Sequence, residues 1–173
     1  MKKSAGLILI CLLPWTQLPV SAIIIRHDSS SASYQVQEAD YPAVFYLEMQ
    51  GSRKVCVATL IDSRWAITAA HCMHETSLAA ALQGPEPFTV LVAGRPQTIV
   101  ETVVHPNSGS GNFHPQTSNE VDLALLRFEQ PMDFPRPVPL YEGTQELNQI
   151  VTLLGWGFYG LGTTGRQYDD GRF

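Results

Sequence analysis

From residue 44 onward the chain is cut into short runs of β-branched and aromatic residues, and no segment carries the 3.6-residue apolar period of a long amphipathic helix. The runs are Val44 to Met49, Val55 to Ile61, Trp65 to Thr68, Phe88 to Val92, Thr98 to Val104, Leu123 to Phe128 and Ile150 to Leu154. Gly, Pro, Asn, Asp or Ser residues bound them, as is usual for strands joined by tight turns. Strands this short bury one face only when stacked or closed on one another, so the pattern predicts an all-β sandwich or barrel. Glu75 to Leu82 is the one stretch expected to make a helical turn or two. Pro106 to Asn119 (PNSGSGNFHPQTSN) reads as a long surface loop. Gln130 to Pro139 holds four prolines in ten residues, which excludes a central strand and marks a connector between two packed units.

The N-terminus carries Lys2 and Lys3, an apolar run from Leu7 to Leu13, Pro14, and small residues at Val20-Ser21-Ala22. This pattern predicts a secretory signal peptide over residues 1–22 and a secreted or periplasmic protein. The apolar run is far shorter than the roughly 20 residues that span a bilayer, so no membrane anchor is expected in the mature form. Removing 22 of the 173 residues leaves 151, and with two lysines and no acid lost the formal charge moves from −5 to −7. An acidic surface of this kind argues against nucleic acid as a partner. Cys11 leaves with the signal, so Cys56 and Cys72 remain in a compartment where disulfides persist. The count predicts that they are joined, with two buried free thiols as the alternative.

Four separated strings bear on function. Cys56-Val57-Ala58-Thr59-Leu60-Ile61 leads into WAITAAHC, residues 65 to 72. Val103-Val104-His105-Pro106 precedes the variable loop, and Val121-Asp122-Leu123-Ala124-Leu125-Leu126 follows it. Val151 to Gly157 (VTLLGWG) comes last. In this order they resemble the first part of a trypsin-like (chymotrypsin-fold) serine protease, over most of Tyr41 to Gly157. The resemblance implies the first six-stranded Greek-key barrel over residues 23–130, an inter-barrel linker at 131–139 and the truncated start of a second barrel at 140–173. It also implies a serine endopeptidase acting on a protein or peptide substrate, as a monomer and without a cofactor.

Acyl transfer to a serine needs a base that titrates near neutral pH, and imidazole supplies one. The resemblance assigns that role to His71. A carboxylate accepting from the other ring nitrogen fixes the tautomer and stabilises the imidazolium that forms, and the resemblance assigns this to Asp122. The plainer alternative makes His71 a core histidine and Asp122 a turn residue at a strand start. His71-Cys72-Met73-His74 also suggests a metal site, but a disulfide would consume the sulfur, so no metal is expected. His27, His105 and His114 read as loop or surface residues. Trp156, between Gly155 and Gly157, reads as a packed turn aromatic, with the border of a substrate cleft as the alternative.

The family's third group is a serine in a G-D-S-G-G context whose backbone N–H groups also form the oxyanion hole. No serine follows Ser118, and Ser108-Gly109-Ser110-Gly111 precedes Asp122. The 173 residues are therefore expected to be inactive alone, as an incomplete chain of a two-barrel protease, with a non-catalytic single-barrel binding or decoy module as the alternative. Val57 and Ala58 stand where the family usually has glycine after the first cysteine. Ile23-Ile24-Ile25-Arg26 follows the expected signal cut directly, so signal peptidase itself would generate the activating N-terminus at Ile23. Beyond Gly157 the tail is expected to show exposed edges, aggregation or disorder.

Overall fold

The structure is a computed structural model that describes residues 23–50, 53–75, 80–81, 84–85, 87–109, 120–156, 159–161, 163 and 165–168. The expected leader at 1–22 and His114 lie outside these residues. Six antiparallel strands form the main sheet: β2 (Val44–Gln50), β3 (Arg53–Asp62), β4 (Trp65–Thr68), β5 (Phe88–Val92), β6 (Arg95–Val104) and β7 (Ala124–Phe128). Their spatial order is β2-β3-β4-β7-β6-β5, and β2 also lies against β5, so the sheet nearly closes into a barrel. The expected all-β, single-barrel architecture is what the chain adopts.

The step that matters for the site is β4 pairing with β7 instead of with β5, the next strand in sequence. The loop and hairpin between them are thereby carried around the barrel, and two strands more than 50 residues apart in sequence become neighbours. Their register is Trp65↔Arg127, Ala66↔Leu126, Ile67↔Leu125 and Thr68↔Ala124. Period-two alternation sends Ala66 and Thr68 inward from β4 and Ala124, Leu126 and Phe128 inward from β7. The core they enter includes Phe45, Leu60 and Val92, with Leu60, Val92, Leu126 and Phe128 fully buried. The Phe45 and Phe128 rings meet at 6.0 Å with a 54° tilt, inside the range of favourable aromatic pairs. Thr68 is the buried polar residue, and its hydroxyl donates to the Val57 carbonyl at 2.8 Å, so its burial leaves no donor unmet.

The proline-rich segment after β7 carries no strand, and it is tied to the barrel by backbone hydrogen bonds. The Met132 N–H donates to the Ser63 carbonyl and the Val138 N–H to the Leu60 carbonyl, each at 2.8 Å. Met132 and Pro135 are buried. Farther on, Ile150 to Leu154 corrects a sequence expectation: it is irregular, not a strand, and Ile150 is fully exposed. A β-branched run becomes a strand only beside a partner, and no described residue pairs with this one. Its end is nonetheless anchored. Trp156 Nε1–H donates to Glu38 Oε1 at 3.1 Å, and the indole meets the Tyr46 ring edge-on at 5.6 Å. The Lys54 ammonium pairs with Glu38 and sits 4.8 Å from the Trp156 centroid, so a cation, a carboxylate and two rings close over one another.

The tail and the N-terminus correct two further expectations. β1 (Ile23–Ile25) pairs in parallel with β8 (Tyr159–Leu161), which pairs with β9 (Gly165–Tyr168). Ile23 to Ile25, read as part of the first barrel, thus belongs to a separate three-stranded sheet, and the described tail residues form ladders in which β1 and β9 remain the sheet's open edges. Helix appears earlier than expected, at α1 (Cys72–Glu75), with residues 80–81 also helical.

Replacing Leu126 by Ala should cost about 2–5 kcal/mol, because a fully buried side chain leaves a cavity behind. Val103→Ala, at a 44% exposed position, should stay within about 0.5 kcal/mol. Urea unfolding midpoints of the two variants check the assigned faces.

Candidate active site

Beyond Thr68 the small residues Ala69 and Ala70 let the backbone turn within the space that β7 leaves. Cys72 N–H donates to the Ala69 carbonyl at 3.2 Å and Met73 N–H to the Ala70 carbonyl at 2.9 Å, which starts α1. On the facing chain, Val121 N–H donates to Asn107 and His105 N–H to Leu123, fixing the approach to β7. Continuing the Thr68↔Ala124 register by two residues sets Asp122 opposite Ala70, one residue from His71. The antiparallel pairing therefore delivers both side chains to one end of the barrel.

There the Asp122 carboxylate grips His71 twice. Oδ2 lies 2.8 Å from the ring Nδ1, and Oδ1 accepts the His71 backbone N–H, also at 2.8 Å. The two contacts fix the ring relative to its own main chain. Burial pushes the Asp122 carboxyl upward, but the hydrogen bonds from the His71 ring and backbone, the His71 charge and a backbone contact from Ala70 outweigh it, so the group is held below the ordinary aspartate range. The Asp122 side chain is 22% exposed and that of His71 41%, so the carboxylate sits behind the imidazole and the ring reaches solvent.

A covalent link completes the frame. Cys56 of β3 and Cys72 form a disulfide with their Cα atoms 5.9 Å apart, within the usual range. The bridge joins the residue after His71 to β3, the strand next to β4 in the sheet, and a closed loop of this size stabilises by roughly 3 kcal/mol on the chain-entropy model. Cys56 takes a left-handed φ of 57°, a conformation that β-strand residues avoid. Val57, at a position where the family usually has glycine, lies against the segment that follows the connector: a Cβ at Gly155 would sit 3.4 Å from Val57 Cγ2.

His71, Asp122, Cys56 and Cys72 are thus brought together. His27 is exposed in a turn, and His105 accepts from the Asn107 N–H at its Nδ1. Trp156 is packed against Glu38, Tyr46 and Lys54 as described above. What sequence reasoning missed is the part played by the main chain: the His71 N–H and the Ala70 backbone hold the carboxylate as well as the ring does. Backbone donors carry no residue-type signature, and only the β4–β7 register could have pointed to them.

A nearly closed six-stranded antiparallel barrel with few helices fits a single barrel of the trypsin-like fold. The trypsin family model matches residues 31–169, and the chain belongs to that family. It is 33% identical to ovochymase-2 of Mus musculus over 135 residues, which cover 71% of this chain and 21% of that protein. It is 33% identical to kallikrein-10 of Homo sapiens over 108 residues, 59% of this chain and 38% of that one. Collagenase of Hypoderma lineatum is 27% identical over 160 residues, 88% of this chain and 59% of the relative. Among solved structures, kallikrein-related peptidase 10 matches with a TM-score of 0.44 and 24% identity over 63% of this chain and 48% of that one. The chain spans less than two thirds of the length of each of these relatives.

A carboxylate whose folded pKa lies below its unfolded value stabilises fully above the unfolded value and loses that contribution as pH falls through the folded one. Asp122 should therefore contribute at pH 7 and progressively less below about pH 4. Urea titrations of the parent chain and Asp122→Asn between pH 7 and 3 should show the difference between them shrinking as pH drops.

Proposed function

We propose that this chain carries the general base and the orienting carboxylate of a secreted, trypsin-like serine endopeptidase, with His71 as the base and Asp122 as its orienter. The observation that carries this reading is the paired contact of one carboxylate with both the ring Nδ1 and the backbone N–H of the same histidine. With Nδ1 donating to Asp122, Nε2 keeps its lone pair and faces away from the carboxylate, where it can accept a hydroxyl proton and later return it to a leaving amine. The carboxylate then lies beside the imidazolium that forms. The disulfide and the apolar leader support an extracytoplasmic site of action on protein or peptide substrates. In this reading the barrel that holds the pair ends near residue 130, residues 131–139 connect, and residues 140–173 begin a second unit.

Proton abstraction without a nucleophile does no chemistry, and no serine follows Asp122 within the 173 residues. The chain by itself is accordingly expected to be silent toward peptides, because loss of the nucleophile removes nearly all of a triad's rate. A second reading is a binding or decoy module that keeps the barrel without turnover.

Two measurements separate these. The 173-residue chain should remain unlabelled by a fluorophosphonate probe, and labelling at any residue would refute the claim that it is inactive alone. The coding frame beyond Phe173 should continue into a G-D-S-G-G segment, and in that longer protein Asp122→Asn should lower kcat by about ten-thousandfold through the wrong histidine tautomer. A verified stop codon directly after Phe173 would support the decoy reading instead.

A further inference from the structure

The same corner holds a second arrangement that proteolysis does not use. His71 Nε2 lies 3.7 Å from Cys72 Sγ. The ligand-capable atoms of Cys56, His71 and Cys72 all fall within 4.8 Å of one another. We propose that reduction of the Cys56–Cys72 disulfide converts this corner into a zinc site, in which the two sulfurs and His71 Nε2 ligate one Zn²⁺ ion. Tetrahedral zinc with Zn–S of about 2.3 Å and Zn–N of about 2.05 Å places its nitrogen and sulfur ligands about 3.6 Å apart, close to the 3.7 Å already present at Cys72, while the Cys56 sulfur starts within 4.8 Å. The sulfurs need only separate to about 3.8 Å once the bond between them is broken.

The histidine is prepared for this role by the residue behind it. Zinc-bound imidazoles characteristically donate their other ring N–H to a carboxylate, which fixes the tautomer and raises the basicity of the ligating nitrogen. Asp122 Oδ2, at 2.8 Å from Nδ1, is placed to do this. The His71 side chain is 41% exposed, so water can reach the ring and serve as a fourth ligand.

The chemistry is balanced and exclusive. A dithiol reductant delivers two electrons and two protons to the disulfide, becoming a disulfide itself and leaving two thiols. Each thiol releases its proton to solvent as its sulfur ligates the metal. In the oxidised chain neither sulfur is a thiolate, so the bridge and the metal cannot coexist. Zinc on Nε2 would also occupy the lone pair that a peptidase needs. The site itself stands on geometry alone and does not depend on the peptidase reading.

The test uses the 173-residue chain with Cys11→Ser, so that Cys56 and Cys72 are its two thiols. After reduction with dithiothreitol and anaerobic desalting, Co²⁺ should bind at one equivalent. It should show thiolate-to-cobalt charge-transfer and tetrahedral d–d absorption, and Zn²⁺ should displace it. The oxidised chain should show neither signal. Asp122→Asn should weaken Co²⁺ binding about 10- to 100-fold, and His71→Ala by at least about tenfold. Far-UV circular dichroism reports whether each reduced protein keeps its strands. Equal Co²⁺ affinity in the parent and His71→Ala chains, unchanged binding after oxidation, or a reduced parent that unfolds and binds no better than His71→Ala would each overturn the proposal.

Discussion

One carboxylate organises this end of the molecule. Asp122 sits just before β7, whose inward face is apolar, where a charge is costly unless its oxygens are met, and it is met by the ring and backbone of His71 with a further backbone contact from Ala70. A ring hydrogen bond alone would fix tautomer but leave the side chain free to swing with its backbone. A backbone hydrogen bond alone would fix the turn and leave the ring unconstrained. Having both holds the imidazole in one orientation relative to its own main chain. Every larger feature of the barrel serves that contact: the β4–β7 pairing brings the two residues to the same end, and the disulfide prevents the turn after His71 from opening.

Much of this was legible in the sequence because period-two alternation and turn residues are local signals. Trp65 to Thr68 and Phe88 to Val92 match their strands residue for residue, and His71 and Asp122 stand out through the strings around them. The errors lie where the deciding interaction is non-local. Ile150 to Leu154 has the composition of a strand, but composition cannot supply a partner. Ile23 to Ile25 looked like the entry to the barrel, while its hydrogen bonds run to residues 159–161, more than 130 positions away. Pro96 shows the converse. A proline is disfavoured inside a sheet, and yet β6 begins at Arg95, because a first-turn position of a hairpin can do without the missing N–H.

The anchor at Trp156 also escaped the sequence. A tryptophan between two glycines announces a turn, but nothing in the string names Glu38, Lys54 and Tyr46 as its surroundings. Burial pushes the Glu38 carboxyl upward, and its hydrogen bonds from Lys54 and Trp156 hold it below the ordinary glutamate range. This cluster and the Val57–Gly155 contact fasten the end of an otherwise exposed segment to the barrel. The connector hydrogen bonds at Ser63 and Leu60 do the same nearer the barrel's last strand. Residues 132–138 and Trp156 are therefore seated on the unit that carries His71.

The account stands on which ring nitrogen of His71 carries the proton when the imidazole is neutral. Nitrogen-15 NMR of the ring distinguishes the two tautomers directly. Asp122 as acceptor requires the proton on Nδ1, with that signal lost or shifted in Asp122→Asn. A proton resident on Nε2, unaffected by the substitution, would mean that the carboxylate does not orient the histidine.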